Sequence, residues 1–157
     1  MNQARTDIGC TPLFIAAQYG TLDVVRYLAG EAHADVNQAT TDDGSTPLHI
    51  AASRGNLDVV RYLAGEAHAD VNLATTDTGA APLYMAAGQG NLDMVRYLAG
   101  EAHADVNHAT TDDGYTPLCI AARQGNVDVV RYLAGVTQAD VIQARTYQVA
   151  ISSADFR

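Results

Sequence analysis

The stretch TPLHIAASRGNLDVVRYLAGEAHADVN spans residues 46–72, and the nearly identical stretch APLYMAAGQGNLDMVRYLAGEAHADVN spans residues 81–107. When Asn2, Asn37, Asn72 and Asn107 are aligned, the chain divides into four copies of 35 residues, and a tail begins in the same register at residue 142. A period of this length indicates a repeat protein, in which each unit buries its apolar face against its neighbours.

The first part of each copy predicts a short helix. Thr46 suits the N-cap and Pro47 suits the first helical position, whose N–H would be unpaired in any case. Leu48 and the pair Ala51–Ala52 fall on one face at helical spacing, and Gly55 is expected to end the helix. The two small alanines would let a neighbouring helix approach closely.

A second helix is predicted to begin after Asn56, another good N-cap residue, and to end at Gly65. Asp58 and Arg61 are expected to form a weak surface pair. The connector GEAHADVNQATTDDG, residues 30–44, contains an Asp-Gly turn signal and predicts an extended finger or a β-hairpin. The apolar stripe of this helix is predicted to consist of Leu57, Val60, Leu63 and Ala64.

Residues 42–72, DDGSTPLHIAASRGNLDVVRYLAGEAHADVN, resemble the ankyrin repeat, whose hallmarks are G-x-T-P-L-H-x-A-A and a closing A-D-V-N. The resemblance extends over residues 2–141. It implies an all-α solenoid of helix-turn-helix units with projecting fingers or β-hairpin turns, used to bind other proteins. We therefore predict a single ankyrin repeat domain over residues 1–157, with repeats at 2–36, 37–71, 72–106 and 107–141. Residues 142–157 form either a degenerate C-terminal half-repeat, with a short cap helix, or an untidy tail.

The chain departs from the family pattern in three ways. The period is two residues longer than the usual one, and the surplus lies between the second helix and the next finger. The motif His occurs only at His49, while Phe14, Tyr84 and Cys119 take its place in the other copies. Ala81 replaces the capping Thr, so the third copy is predicted to be locally the weakest.

The copies differ from one another in two short windows, one before the first helix and one at its end. The resemblance places both windows along the fingers and the concave groove. Neutral drift of exposed residues would also produce such differences, but the outer side of the second helix has hardly changed between copies. Tyr19, Arg54, Tyr115 and Arg123 are the favoured anchors, because Tyr and Arg are enriched among interface hot spots. The predicted partner-binding residues are Ile8, Cys10, Gln18, Tyr19, Asp43, Ser45, Ser53, Arg54, Thr78, Ala80, Gln89, Asp113, Tyr115, Arg123 and Gln124.

Charge and residue spacing argue against several other functions. The net charge is -9 and all nine basic residues are Arg, which argues against a nucleic-acid partner and favours a basic or neutral one. His33, His68 and His103 recur in register, but equivalent residues of adjacent layers lie about 10 Å apart, too far to share one metal ion. A solvated role, or a helix-terminating one in which the His side chain serves the last carbonyls, is expected for them instead. The segment GQGNLD at residues 88–93 lacks the Lys-Ser/Thr of a phosphate loop.

These observations predict a non-enzymatic module without metal or cofactor, which binds a protein or peptide partner through its groove and finger tips. The alternative is a structural spacer or scaffold, artificial or part of a longer array, with no specific ligand. No signal peptide or membrane span is visible, and Cys10 and Cys119 are interpreted as free thiols, so the protein is expected to be cytoplasmic or nuclear. The first copy keeps Leu22 and Val25 as in the interior copies. This pattern predicts a fragment of a longer array, or an end-to-end self-contact that covers the exposed face, so the protein is expected to be a monomer or to self-associate weakly end to end.

Overall fold

The structure, a computed structural model, describes residues 8–135. Within that range it contains helices and connecting loops and no strand, which confirms the predicted all-α solenoid. The first helices of the successive units are α1 (Pro12–Tyr19), α3 (Pro47–Arg54), α5 (Pro82–Gln89) and α7 (Pro117–Arg123). The second helices are α2 (Leu22–Arg26), α4 (Leu57–Arg61), α6 (Leu92–Arg96) and α8 (Val127–Gly135). A single π-helical turn continues α2, α4 and α6, at Tyr27–Glu31, Tyr62–Glu66 and Tyr97–Glu101 respectively.

The helix pairs stack in chain order, so that α3 packs between α1 and α5, and α5 packs between α3 and α7. Leu48, Ala51 and Ala52 have no exposed surface, as their spacing predicted. Their equivalents in the neighbouring pairs belong to the same continuous apolar core. Because each short helix is marginal alone, this stacking is the main source of stability.

The ends of the first helices follow the capping rules. The Thr46 hydroxyl accepts a hydrogen bond from the His49 N–H at 3.4 Å, and Thr11 and Thr116 cap α1 and α7 in the same way. Gly55 ends α3 in the left-handed conformation, with φ of 77°. Ala81 occupies the N-cap of α5 and provides no side-chain hydrogen bond, as predicted.

Replacing Ala81 by Thr should raise the free energy of unfolding by about 1 kcal/mol, because it restores an acceptor for an N–H in the first turn of α5. Urea unfolding followed by circular dichroism measures the change. Thr116→Ala is the matched control and should lower the free energy of unfolding by a similar amount. If Ala81→Thr left the midpoint unchanged while Thr116→Ala lowered it, the missing cap would not be what weakens the third copy.

The second helices are buried on two sides rather than one. Val60 and Leu63 are fully buried and Leu57 and Ala64 are half-buried, which agrees with the predicted stripe. Val59 is also buried, with 1% of its surface exposed, although it lies outside that stripe. A helix inside a stack has a neighbour before it and another after it, so two faces become apolar.

The second helix ends one residue beyond the predicted Gly65. The helix continues through a π-helical turn to Glu66, and the left-handed residue that follows is His68, with φ of 56°. A Cβ atom on Gly65 would lie 3.3 Å from the Tyr97 hydroxyl oxygen of the next repeat. The glycine therefore provides space for that tyrosine. His68 follows the helix end with a left-handed backbone and an exposed side chain, which agrees with the solvated alternative, while the predicted bond from its ring to the last carbonyls stays a prediction.

Two polar contacts also differ from the prediction. Asn56 occupies the N-cap of α4, but its side-chain amide donates to the carbonyls of Ala17 and Gln18 in the preceding repeat, at 2.8 and 3.0 Å. Arg61 forms its ion pair with Glu101 of the next repeat, at 3.3 Å, and not with Asp58.

Arg61 also lies over the ring of Tyr97, with its guanidinium carbon 4.7 Å from the ring centroid. Arg26 stacks on Tyr62 in the same manner. Because the sequence repeats, the Arg side chain of one unit contacts side chains of the next unit, and these contacts link adjacent repeats.

The fingers are turns rather than β-hairpins. Among the described residues, the fingers of the second, third and fourth units are each closed by a backbone hydrogen bond such as that from the Thr40 N–H to the Ser45 carbonyl at 2.9 Å. Asn2, the start of the first copy, and residues 142–157 lie outside the described residues, so the predicted repeat limits at both ends and the alternatives for the tail stay predictions.

Candidate functional site

Hydrogen bonds between successive fingers join the finger side of the stack into one continuous surface. The Thr41 N–H donates to the Ile8 carbonyl, the Thr76 N–H to the Asp43 carbonyl, and the Thr111 N–H to the Thr78 carbonyl, at 3.1, 2.8 and 2.8 Å respectively. At the base of the fingers, the Asn37 side chain accepts from the Asp70 N–H at 2.9 Å. Exposed side chains on the fingers are therefore held at the spacing of the repeats.

Most of the predicted partner-binding side chains lie at the surface. Tyr19 is the most exposed of the large apolar residues, with 75% of its surface accessible, and Ile8 has 39%. Arg54, Gln89, Asp113, Arg123 and Gln124 are exposed, and Gln18, Asp43, Ser53, Thr78 and Tyr115 are half-buried. These residues are distributed over four units, so the only arrangement that includes them all is an extended surface.

Three predicted binding residues, Cys10, Ser45 and Ala80, are buried, at 4%, 8% and 1% exposure. Each occupies the position before an N-cap, where the chain passes from finger to helix. The Ser45 hydroxyl donates to the Asp43 carboxylate at 2.8 Å, and the Ala80 carbonyl is 3.0 Å from the His49 ring. Their side chains therefore serve packing and turn geometry, and the candidate surface is restricted to the other twelve residues.

In the fourth unit the same position holds Tyr115, which is half-buried and packs against the core. The Arg123 guanidinium carbon lies 5.6 Å from the centroid of that ring, within the range of a cation–π contact. Asp113 lies in the same finger, where it accepts from the Tyr115 N–H at 3.2 Å. The structure thus brings together three of the predicted residues, one acidic, one aromatic and one basic.

Sequence reasoning missed Tyr84 as a member of this group. Partial burial raises the pKa of Tyr84, and the nearby carboxylates Asp113 and Asp112 raise it further, while Arg123 opposes them. Tyr84 replaces the motif His in the third copy. That replacement was the feature of the sequence that could have indicated Tyr84 as a site residue. Two tyrosines, two carboxylates and one guanidinium therefore lie close together at the junction of the third and fourth units.

Negative charge recurs along the fingers. Asp42, Asp77 and Asp112 are exposed at their tips. Burial alone would raise the pKa of Asp43, but hydrogen bonds from Thr40 and Ser45 outweigh it, and its pKa lies below the ordinary value. Asp43 therefore stays ionised at neutral pH, and the finger edge of the surface is acidic.

An apolar surface lies on the first described unit, away from the second. Pro12, Ile15, Tyr19 and Val24 line a cavity of about 470 Å³ there. Val24 is 48% exposed, whereas its counterpart Val59 is covered by the preceding unit. In the interior units the equivalent face is covered by the preceding unit, which explains why its residues are apolar.

Within residues 8–135 no group of three or more His, Cys, Asp or Glu side chains converges in a way that could hold a metal ion. His33, His68 and His103 are exposed and lie on separate units. Cys10 and Cys119 are buried, with 4% of each surface exposed, and no disulfide bond joins them. No helix of this same stretch is long and apolar enough to cross a membrane.

Similar helix pairs that stack in chain order, with a row of exposed fingers, are the defining features of a solenoid repeat protein. The model of the family described as ankyrin repeats (3 copies) matches residues 1–75 and 67–144. The chain therefore belongs to the ankyrin repeat family, whose members are generally protein–protein interaction modules and typically not enzymes. The search of the curated proteins found no match.

Proposed function

We propose that this protein binds a protein or peptide partner through its finger tips and groove, and that the main anchors lie at the junction of the third and fourth units. The observation that carries the proposal is the cluster of Tyr84, Tyr115 and Arg123 beside Asp112 and Asp113. Aromatic rings and guanidinium groups provide large contact areas with directional polar groups, and they are enriched at interface hot spots.

The charge of the finger edge favours a partner segment that carries Lys or Arg. Asp42, Asp77, Asp112 and Asp113 are exposed there, and the whole chain has a net charge of -9. Complementary charge accelerates association and selects among partners. Arg54 and Arg123 lie at the ends of their helices, and their guanidinium groups would donate hydrogen bonds to carboxylates of the same partner.

Peptides selected from a random display library against the 157-residue protein should be enriched in Lys and Arg. Their affinity should fall about tenfold, or about 1.4 kcal/mol, for Tyr115→Ala and likewise for Arg123→Ala. Isothermal titration calorimetry measures the loss, and circular dichroism establishes that each variant keeps its helices.

Matched controls lie on the outer face. Tyr27 is 50% exposed and Arg131 is exposed, and both belong to second helices. Tyr27→Ala and Arg131→Ala should leave peptide affinity unchanged. Equal losses for groove and outer-face variants would contradict the proposed location of the binding surface.

A structural spacer without its own ligand is the alternative function. It predicts that no library peptide is selected above background, whereas the binding function predicts selected peptides that depend on Tyr115 and Arg123. Weak end-to-end self-association through the apolar face of the first unit stays a separate prediction, and sedimentation velocity over a range of concentrations tests it.

A further inference from the structure

His49 is a buried titratable side chain at the junction of the second and third units. Only 1% of its surface is exposed. Its Nδ1 atom lies 3.1 Å from the Thr46 backbone nitrogen, and its Nε2 atom lies 3.0 Å from the Ala80 carbonyl oxygen. The ring therefore connects the N-cap of α3 with the finger of the next unit.

These two partners determine the protonation state of the ring. A backbone N–H can only donate, so Nδ1 must present its lone pair to Thr46. A carbonyl oxygen can only accept, so Nε2 must carry the proton that points to Ala80. The observed geometry is therefore that of neutral imidazole.

A second proton would have to bind at Nδ1, where it would face the Thr46 N–H. The Thr46 hydroxyl, 2.8 Å from Nδ1, could accept from the new N–H, but the backbone N–H would then lose its acceptor. The ring also lies in the first turn of α3, where the helix dipole disfavours a cation. Burial lowers the pKa of His49, whereas the Ala80 and Leu73 backbone groups raise it in part.

The charged groups that act on the ring are Asp43, from the finger before α3, and Asp77, from the finger before α5. Both carboxylates favour the protonated ring, but burial disfavours it more strongly, so the pKa of His49 is lowered. The flanking helices α1 and α5 contain no charged side chain, and their titratable groups are Tyr19 and Tyr84. In α4 the charged residues Asp58 and Arg61 are exposed on the outer side.

We propose that protonation of His49 in mildly acidic solution, which removes the Nδ1 acceptor of the Thr46 N–H and places a charge on a buried ring, opens the stack at the junction of the second and third units. The Nε2–H bond to the Ala80 carbonyl does not itself require the neutral ring, so the opening comes from the lost acceptor and from solvation of the charged ring in the open state. Above the ordinary His pKa of 6.5 the Thr46–His49–Ala80 connection is fully present. As the pH falls below that value, the open state takes up a proton that the closed state excludes, so the closed junction loses stability.

The response should be confined to this junction. At the position of His49 the other units carry Phe14, Tyr84 and Cys119, and side chains of these types stay neutral on acidification. His108 is half-buried and its Nε2 lies 3.0 Å from the Gly79 carbonyl. That bond uses an N–H donor, which the imidazolium form also provides.

Amide hydrogen exchange of the 157-residue protein, measured by NMR at pH 7.5 and 5.0, tests the proposal. The reporter is the Thr75 N–H, which donates to the same Ala80 carbonyl at 2.9 Å. Its protection factor should fall between pH 7.5 and 5.0 by at most about thirtyfold, because pH 5.0 lies only 1.5 units below the ordinary His pKa of 6.5 at which the open state takes up its proton. The equivalent Thr110 N–H, bonded to the Tyr115 carbonyl at 3.0 Å, should keep its protection factor.

Two variants separate His49 from the other histidines. His49→Cys copies the Thr116–Cys119 arrangement of the fourth unit and should abolish the pH dependence at Thr75, while His108→Gln should preserve it. The proposal is overturned if acidification lowers the protection factor of Thr75 in His49→Cys as much as in the wild type. It is also overturned if the protection factor of Thr110 falls as much as that of Thr75. Should His49→Cys not fold, an NMR titration of the wild-type His49 ring decides, since the proposal requires the pKa of His49 to lie below the ordinary value of 6.5.

Discussion

Replacing Leu63 by Ala should lower the free energy of unfolding by about 3 kcal/mol, within the range of roughly 2–5 kcal/mol typical of buried Leu→Ala changes. Leu63 has no exposed surface and belongs to the continuous core of the stack. The substitution removes apolar contacts and leaves a cavity between units that stabilise each other only through such contacts. Urea unfolding followed by circular dichroism measures the loss.

The chain itself offers a matched control for the claim that neighbouring units provide this burial. Val24 and Val59 are equivalent residues one period apart, with 48% and 1% of their surfaces exposed. Val59→Ala should cost roughly 2 kcal/mol, while Val24→Ala should stay within about 0.5 kcal/mol of the wild type. Equal costs at the two positions would mean that stacking is not what stabilises the second helices.

The architecture was predictable because the signals that determine it are local and recur at a fixed interval. Thr46 and Pro47 begin α3, and Gly55 ends it, each through the backbone property of one residue type. The period then requires that every unit meet its neighbour in the same way. Local capping chemistry and repetition together were sufficient for the all-α stack.

The errors concern features that depend on a neighbouring unit. Gly65 is a residue type that often ends helices, but here the helix ends one residue later. The glycine instead provides space for Tyr97 of the next unit. Arg61 was assigned a partner in its own helix, but its ion-pair partner is Glu101 in the next unit. A pattern read within one copy cannot distinguish a contact inside the unit from one to the next unit.

The candidate site was predictable only in outline. Variation between copies indicated the windows that contain Tyr115 and Arg123, and the structure brings these two side chains into contact. The same variation also selected Cys10 and Ala80, which are buried. A small residue can vary because it fits in several packed environments, so variation alone does not show that a side chain is exposed.

Replacing Gly44 by Ala should lower the free energy of unfolding by about 2–4 kcal/mol, through two separate causes. Gly44 has φ of 75°, a conformation that costs a residue with a Cβ atom about 1–2 kcal/mol. The added Cβ atom would also lie 2.8 Å from the backbone nitrogen of Thr76 in the next finger. That nitrogen donates to the Asp43 carbonyl, so the clash acts on the hydrogen bond that joins the two fingers.

Gly125→Ala isolates the first cause, because Gly125 has φ of 74° and a Cβ atom there would meet no atom of residues 8–135 within 4 Å. It should cost only the conformational part, about 1–2 kcal/mol, and the excess at Gly44 should be about 1–2 kcal/mol of overpacking between fingers. Urea unfolding of both variants gives the difference. In Gly44→Ala, amide exchange should also accelerate at Thr76, while Thr111, bonded in the same way to Thr78, should be less affected. If both variants lost the same stability, the fingers would not be in the tight mutual contact that makes them one binding surface.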